Sequence, residues 1–145
     1  MDATTRQTIT RIIKNCVYGQ LATLSPDGRS PRVRPVCAFL EEDMTILVPS
    51  HIATRKIAEI SANAEVEICF VDSEHWQVRA SGRAEVVNDV ELKRRLMETT
   101  LDPKLWQGFF PGGPTDERFI LYRIRPCAFE WMKEWEMKYR RVEMA

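Results

Sequence analysis

The segment GQLATLSPDGRSPRVRPVCAFLEEDMTILVPS, residues 19–50, decides the fold because it predicts three successive β-strands. The turn SPDG joins the first two strands and the acidic LEED joins the next two, which predicts antiparallel hairpins. Pro31 and Pro35 lie in the second strand, and proline cannot donate a hydrogen bond to a neighbouring strand. The second strand is therefore predicted at a sheet edge or at a bulge.

Three helices are predicted around these strands. The first is amphipathic, with apolar residues at helical spacing: Ile9, Ile12, Ile13 and Cys16. The second lies in SHIATRKIAEI, residues 50–60, and ends near Asn63. The third is NDVELKRRLMETT, residues 88–100, in which Asn88 is a plausible N-cap and Glu91 completes a capping box.

Further strands follow in mostly hairpin order. VEICFVD is nearly continuously apolar, and HWQVRASGRAEVV alternates, with a bulge predicted at Gly82. LDPKLWQGFFPGGPTDE, residues 101–117, is long enough to suggest a functional loop. FILYRIRP and CAFEWM then close the sheet, and the tail KEWEMKYRRVEMA is predicted as a strand, although a helical stripe also fits it. Six or seven antiparallel strands with three helices predict an α+β fold that closes into a small barrel.

Composition limits the functional classes. The 145 residues suit a single domain spanning 1–145, and 21 basic against 21 acidic residues leave no net charge to attract nucleic acid or an anionic membrane. No apolar run approaches the ~20 residues of a membrane span. The N-terminal stretch MDATTRQTITR has no signal-peptide core, which predicts a cytoplasmic protein. The four cysteines form no CxxC pair and are predicted as buried free thiols: Cys16, Cys37, Cys69 and Cys127.

The sequence carries no signature of metal or nucleotide chemistry. His51 and His75 lie far apart, without carboxylates at metal-ligand spacing, so no metal site is predicted. GxSxG, GxxxxGK[ST] and GxGxxG motifs are absent from the sequence. Hydrolase and nucleoside-triphosphate chemistry are therefore not indicated.

Three local features suggest a ligand site. Arg32 and Arg34 are two residues apart on a predicted strand and so share one face. Arg55 and Lys56 lie at the start of the second helix, where the macrodipole disfavours cations by roughly 0.3–1 kcal/mol each, unless an anion binds there. The amide of Gln77 can donate and accept at once, as the edge of a heterocycle requires. A solvated basic edge, a frayed surface helix and a structural glutamine are the alternatives.

Together these features describe a ligand with a phosphate at one end and a planar heteroaromatic ring at the other. Flavin mononucleotide (FMN) fits that description, and so do pyridoxal phosphate and a nucleotide. The residues alone leave these possibilities open.

The stretches that contain Arg34, Lys56 and Gln77 resemble a known family. RVRPVCAF, VPSHIATRKIAEISANAEVEICF and QVRASGRAEVV resemble, in order and spacing, the FMN-binding split-barrel proteins related to pyridoxamine 5'-phosphate oxidase. The resemblance runs from about Gln20 to Val87 and, more weakly, on to Trp131. Trp106, in KLWQGFFPGG, is similar to a residue of the aromatic loop in the short, general-stress-protein-like subgroup. The resemblance implies a mostly antiparallel split β-barrel of six or seven strands with flanking helices.

The resemblance also implies positions for FMN. Arg34, Pro35 and Val36 would line the isoalloxazine ring, with Arg34 also directed toward the phosphate arm. Pro49 and Ser50 would touch the polar edge of the ring. Arg55 and Lys56 would bind the phosphate, and Gln77 would lie beside the flavin. Trp131 would reach the cofactor from the second subunit of a homodimer.

One departure from the family argues against pyridoxamine phosphate oxidase activity. Pyridoxamine phosphate oxidases are longer and carry a C-terminal Arg-Leu-His segment that helps to hold the pyridoxal substrate, whereas this chain ends KYRRVEMA. We therefore do not expect pyridoxamine phosphate oxidation. The leading hypothesis is an FMN-dependent oxidoreductase acting on a small molecule such as a nitro compound, a quinone or a free flavin. The alternatives are a flavin-binding electron carrier or stress-associated binding protein without a substrate of its own, and a barrel that binds haem, a deazaflavin or nucleic acid.

Overall fold

The computed structural model describes residues 1–99 and 102–145. Four helices lie within this part of the chain: α1 Ala3–Lys14, α2 Lys56–Ala62, α3 Val90–Thr99 and α4 Pro103–Phe109. It also contains eight strands: β1 Gly19–Leu24, β2 Pro31–Val36, β3 Phe39–Leu40, β4 Ile46–His51, β5 Glu65–Val71, β6 Trp76–Val86, β7 Phe119–Lys133 and β8 Arg140–Glu143. None of these helices is long and apolar enough to span a membrane.

The strands form one antiparallel sheet in the order β2-β1-β5-β6-β7-β4-β3, and β8 pairs with β7. The sheet curls around an apolar core, and α1 packs on this core through the side chains that its spacing predicted: Ile9, Ile12 and Ile13. The predicted α+β split barrel with flanking helices is therefore confirmed. The sheet has eight strands where six or seven were predicted.

The second predicted strand divides in two. β2 pairs only with β1 and lies at one end of the sheet, whereas the short β3 pairs with β4 at the other end. The segment 19–50 thus forms four strands instead of three. The edge position predicted from Pro31 and Pro35 is confirmed, because β2 has a neighbour on one side only.

β7 is the longest strand, and FILYRIRP and CAFEWM, predicted as separate segments, are continuous in it. It stays continuous through Pro126 because the β6–β7 register shifts between Ser81 and Gly82, so that Gly82 faces Pro126 at a bulge. A Cβ on Gly82 would lie 2.2 Å from the carbonyl oxygen of Arg125. The bulge predicted at Gly82 is confirmed, and only glycine fits this close backbone approach.

The segment after α3 is more regular than predicted. Residues 103–109 form α4, which begins after Asp102, whose carboxylate accepts a hydrogen bond from the backbone N–H of Lys104 at 2.9 Å. A single 3₁₀ turn follows at Gly113–Thr115. The segment predicted as a functional loop is therefore largely helical, because Asp102 and Pro103 form a capped helix start. Thr100 and Leu101, within the predicted third helix and loop, lie outside the described residues.

Three smaller predictions need correction. Asp89, and not Asn88, caps α3, since its carboxylate accepts from the N–H of Leu92 at 2.9 Å. Cys127 is exposed, whereas the other three cysteines are half-buried, and all four are free thiols. The C-terminal tail forms strand β8, as predicted, but a turn that contains Trp135 precedes it.

Gly82→Ala tests the bulge. The added methyl group would collide with backbone that cannot move without breaking the β6–β7 ladder, so the free energy of unfolding should fall by about 2 kcal/mol. Gly108→Ala is the matched control, because a Cβ at Gly108 meets nothing within 4 Å and alanine favours the helix. Urea denaturation measures both variants. Equal stabilities for Gly82→Ala and the wild type would contradict the proposed close approach.

Candidate functional site

A cavity of about 250 Å³ lies among β2, β4 and α4. It is mostly apolar, and the only formally charged side chain that lines it, among the described residues, is Lys56. The cavity brings together five of the nine predicted cofactor-binding residues: Pro35, Val36, Pro49, Ser50 and Lys56. The ends of β2 and β4 position four of these, and the start of α2 positions Lys56.

Lys56 is a buried cation with little compensation. Only 7% of its surface is exposed, and its ammonium group donates one hydrogen bond, to Thr54 Oγ1 at 3.1 Å. An ammonium group carries three donors, and the described residues supply no other acceptor. Burial, reinforced by the nearby charge of Arg34, lowers the pKa of Lys56. An anion in the cavity would relieve this desolvation.

Arg34 is held by a buried network beside this cavity. Its guanidinium donates to Thr23 Oγ1 at 2.7 Å and to the carbonyl oxygen of Leu21 at 3.3 Å, and it pairs with the carboxylate of Glu59. Glu59 also accepts from Thr23 Oγ1 at 2.6 Å and is only 2% exposed. Glu59 forms its ion pair with Arg34, whereas Lys56 forms none with a described residue and is only partly compensated by the more distant charge of Glu59.

Burial by itself would raise the pKa of Glu59. The hydrogen bond from Thr23 and the charge of Arg34 outweigh burial, so the pKa of Glu59 lies below its ordinary value. Glu59 is therefore ionised at neutral pH and keeps Arg34 in place.

Arg55, the other predicted phosphate ligand, is placed differently. It is exposed, lies at the N-cap position of α2 without a side-chain cap, and does not line the cavity. The predicted start of α2 near Arg55 and Lys56 is confirmed, as is its end at Asn63. The two neighbouring cations nevertheless have different environments, one exposed and one buried.

Gln77 and Trp131 lie away from the cavity in this chain. Pro49 pairs with Leu121 of β7, whereas Gln77 pairs with Met132, so they are separated by roughly 35 Å measured along the strand. Trp131 packs in the core of its own barrel and is 8% exposed. One chain therefore does not bring all nine predicted residues into one site.

Aromatic side chains form the wall of the cavity on the α4 side. Trp106 and Phe110 pack in a second apolar cluster with Phe119, and the Phe110 and Phe119 rings stack with centroids 4.5 Å apart. Leu105 and Phe109 also line the cavity, but they remain 55% and 59% exposed. The buried pair anchors α4, so that the other two side chains stand at the mouth of the cavity.

Two further side chains define the chemistry that the cavity can support. Cys37 lines it, and burial raises the pKa of this thiol, so it is protonated at neutral pH. His51 lines it as well, and its ring stacks on Phe110 with centroids 5.8 Å apart. The described residues contain no group of three or more His, Cys, Asp or Glu that could hold a metal ion.

The family is identified by comparison with known proteins. The sequence profile of the pyridoxamine 5'-phosphate oxidase family matches residues 5–130. The chain belongs to the pyridoxamine 5'-phosphate oxidase family. This confirms the resemblance seen in the sequence. A search of curated proteins finds no match.

Several solved structures share the fold of this chain. General stress protein 26 from Bacillus anthracis is 21% identical, with a TM-score of 0.75 and coverage of 95% of this chain and 98% of that one. A pyridoxamine 5'-phosphate oxidase-related, FMN-binding protein from Nostoc punctiforme is 16% identical, with a TM-score of 0.74 and coverage of 100% and 99%.

A haem-binding protein from Mycobacterium smegmatis is 15% identical, with a TM-score of 0.73, and the match covers 91% of this chain and 55% of that one. At these identities the likeness shows the fold alone. The same fold thus occurs in one protein described as binding FMN and in one described as binding haem, so the cofactor has to be argued from the side chains of this chain.

Sequence reasoning missed several residues of the candidate site. It considered His51 only as a metal ligand, although His51 directly follows Pro49 and Ser50 at the end of β4. It did not single out Glu59, which lies three residues after Lys56 and so near it on α2. That spacing was a usable signal for Glu59. The pairing of Glu59 with Arg34 of β2 had no local signal, since 25 residues separate them.

Glu59→Gln tests the network around Arg34. Removing one partner of a buried ion pair should lower the free energy of unfolding at pH 7 by about 2–3 kcal/mol. The folded-state pKa of Glu59 is lowered, so its contribution is present above the unfolded-state pKa and is lost as pH falls through the folded-state pKa. The difference in the free energy of unfolding between the wild type and the variant should therefore become smaller in acid.

Urea denaturation between pH 7 and pH 3 measures this difference. Glu98→Gln on α3 is the matched control, because Glu98 is exposed and has no ion pair with a described residue. Its effect on stability should be small at every pH. A difference for Glu59→Gln that stays constant with pH would show that the carboxylate charge is not what stabilises Arg34.

Proposed function

We propose that this protein binds FMN in the cavity and uses it as an oxidoreductase acting on a small molecule. The observation that carries the proposal is the buried, incompletely paired ammonium group of Lys56 in a cavity that is otherwise apolar. A phosphate monoester supplies the missing acceptors and negative charge. The apolar remainder, which includes Pro35, Val36 and Pro49, suits a flat ring system.

Different side chains would bind different parts of such a cofactor. Lys56 and Thr54 would bind the phosphate, and the Arg34–Glu59 pair, held by Thr23, would lie beside it. Arg55 is exposed and free to approach from solvent. When bound, FMN supplies hydride or single-electron transfer, and the protein orients it and excludes water.

We propose a homodimer in which a second copy of the chain completes the site. Trp131 of β7 and Gln77, which pairs with Met132 of β7, lie far along the sheet from the cavity, so they would meet a flavin only if it belonged to the other chain. Large exposed apolar side chains near that end of β7, Trp135 and Met137, favour burial in an interface. Sedimentation should give a dimer, and a flavin-loaded monomer would contradict this arrangement.

An electron carrier without a substrate is the alternative to an enzyme. The exposed aromatic and aliphatic side chains at the mouth of the cavity favour an enzyme, because they leave a surface on which a second molecule could lie. Rapid reoxidation of the reduced protein by one defined acceptor would support the enzyme, and equal, slow reoxidation by all acceptors would support the carrier. We further propose a cytoplasmic location, because four free thiols suit a reducing compartment.

Lys56→Met and Arg55→Met form a matched pair that tests the phosphate site. Lys56→Met should weaken FMN binding by about a hundredfold, because a desolvated charge pair is lost. Arg55→Met should weaken it by less than about tenfold, since an exposed charge is screened. Riboflavin lacks the phosphate, so its affinity should be the same in both variants and the wild type. Fluorescence titration of the apoprotein measures the affinities of the wild type and of both variants for FMN and for riboflavin.

Without ligand, Lys56→Met should raise the free energy of unfolding by about 1 kcal/mol, because an uncompensated buried charge is removed. Equal losses of FMN and riboflavin affinity would contradict the assignment of Lys56 to the phosphate. A wild-type protein that binds haem, seen as a Soret band, and does not bind FMN would overturn the proposed function.

A further inference from the structure

His51 lines the cavity at the end of β4 with its ring orientation and tautomer determined by two contacts. Its Nδ1 accepts a hydrogen bond from the backbone N–H of Ala53 at 3.1 Å. Its ring stacks on Phe110, with centroids 5.8 Å apart and 16° between the planes. Because Nδ1 acts as an acceptor, the proton of the neutral imidazole lies on Nε2.

The Nε2–H group is a donor without a partner. No described residue accepts a hydrogen bond from it, although His51 is half-buried. The hydroxyl of Thr54 donates to the carbonyl oxygen of His51 at 2.8 Å, and Lys56 donates to Thr54. The proposed function assigns the remaining donors of Lys56 to the phosphate. His51 therefore offers a donor, fixed in orientation, to a ligand in the cavity.

The surface beside His51 selects the kind of ligand. Leu105 and Phe109 stand at the mouth of the cavity with more than half of their surface exposed, while Trp106 and Phe110 hold α4 in place. Lys56 is the sole charged lining residue among those described, and the proposed function assigns it to the phosphate. The remaining space is mostly apolar, and His51 offers it an N–H donor, which suits an uncharged aromatic molecule bearing an oxygen acceptor.

We propose that His51 is a substrate-binding, catalytic residue that donates from Nε2–H to the oxygen of a planar aromatic electron acceptor, a quinone or a nitroaromatic, packed against Leu105 and Phe109. This inference rests on the proposed flavin function and names its substrate class. The two compound classes share the same chemistry, since each has an oxygen on a flat ring system that becomes negatively charged on reduction.

For a quinone the reaction balances as follows. Conversion to the hydroquinone adds two electrons and two protons. Two electrons and one proton come from the reduced flavin, which is oxidised, and the second proton comes from water. His51 donates a hydrogen bond in this step and transfers no proton, and the Ala53 N–H occupies its Nδ1. Its hydrogen bond stabilises the negative charge on the quinone oxygen before water protonates it.

Binding to the oxidised, FMN-loaded protein tests the proposal without turnover. The probes are 1,4-naphthoquinone, 1-nitronaphthalene and, as the control without oxygen, naphthalene. His51→Phe keeps an aromatic ring to stack on Phe110 and removes the donor. It should weaken binding of the two oxygen-bearing probes by about tenfold and leave naphthalene and FMN binding unchanged. His51→Gln, which retains an N–H donor, should restore part of the loss.

Phe109→Ala is the complementary variant, and it should weaken all three probes together because it removes the apolar surface that they share. Turnover by the wild type with each oxygen-bearing probe then distinguishes a quinone substrate from a nitroaromatic one. The inference is overturned if the wild type binds neither probe more tightly than naphthalene, or if His51→Phe binds both as the wild type does.

A measurement on the wild type alone tests the proposal even if the variants do not fold. The ¹⁵N spectrum of the imidazole should show the proton on Nε2 in the apoprotein, and the Nε2 signal should shift when 4-nitrophenolate, a mimic of the reduced oxygen anion, is added. A proton on Nδ1 would overturn the inference. Wild-type protein that fails to bind FMN would instead refute the proposed function, so the two failures are distinguishable.

Discussion

The pairing of β6 with β7 is the constraint on which the rest of the structure depends. β7 carries β6, β4 and β8 as neighbours, and the close backbone approach at Gly82 sets the register on both sides of the bulge. The same strand separates the two parts of the predicted site, with the cavity near its start and Gln77 and Trp131 near its end. A site that used all of them would need a second copy of the chain, which is the reason for the proposed homodimer.

Electrostatic compensation organises the cavity. Arg34 is neutralised by Glu59, a buried partner from α2, and both are hydrogen-bonded to Thr23 of β1. Lys56 has no such partner among the described residues and is desolvated all the same. A protein that keeps a buried cation of this kind loses stability without its ligand, which is the cost of a site prepared for an anion.

Much of the fold could be predicted because its signals are local. The helical spacing of Ile9, Ile12 and Ile13, the prolines of β2 and the glycine of the bulge each act within a few residues. Two features could not be predicted: the division between β2 and β3, and the continuity of β7. Both depend on which strands become neighbours. The short helix α4 was not predicted, although Asp102 and Pro103 are a local start signal, because the glycines and aromatic residues that follow them are typical of a loop.

By itself, the sequence determined most of the order of the elements and the family, and it predicted a group of site residues of which five line one cavity. Only the tertiary structure decided what each of these side chains does. Arg55 and Lys56 are neighbours in sequence, but successive helical residues point about 100° apart, so packing buries one and exposes the other. The partnership of Glu59 with Arg34, and the place of His51 beside α4, arise between segments distant in the chain, where no local pattern records which side chains meet.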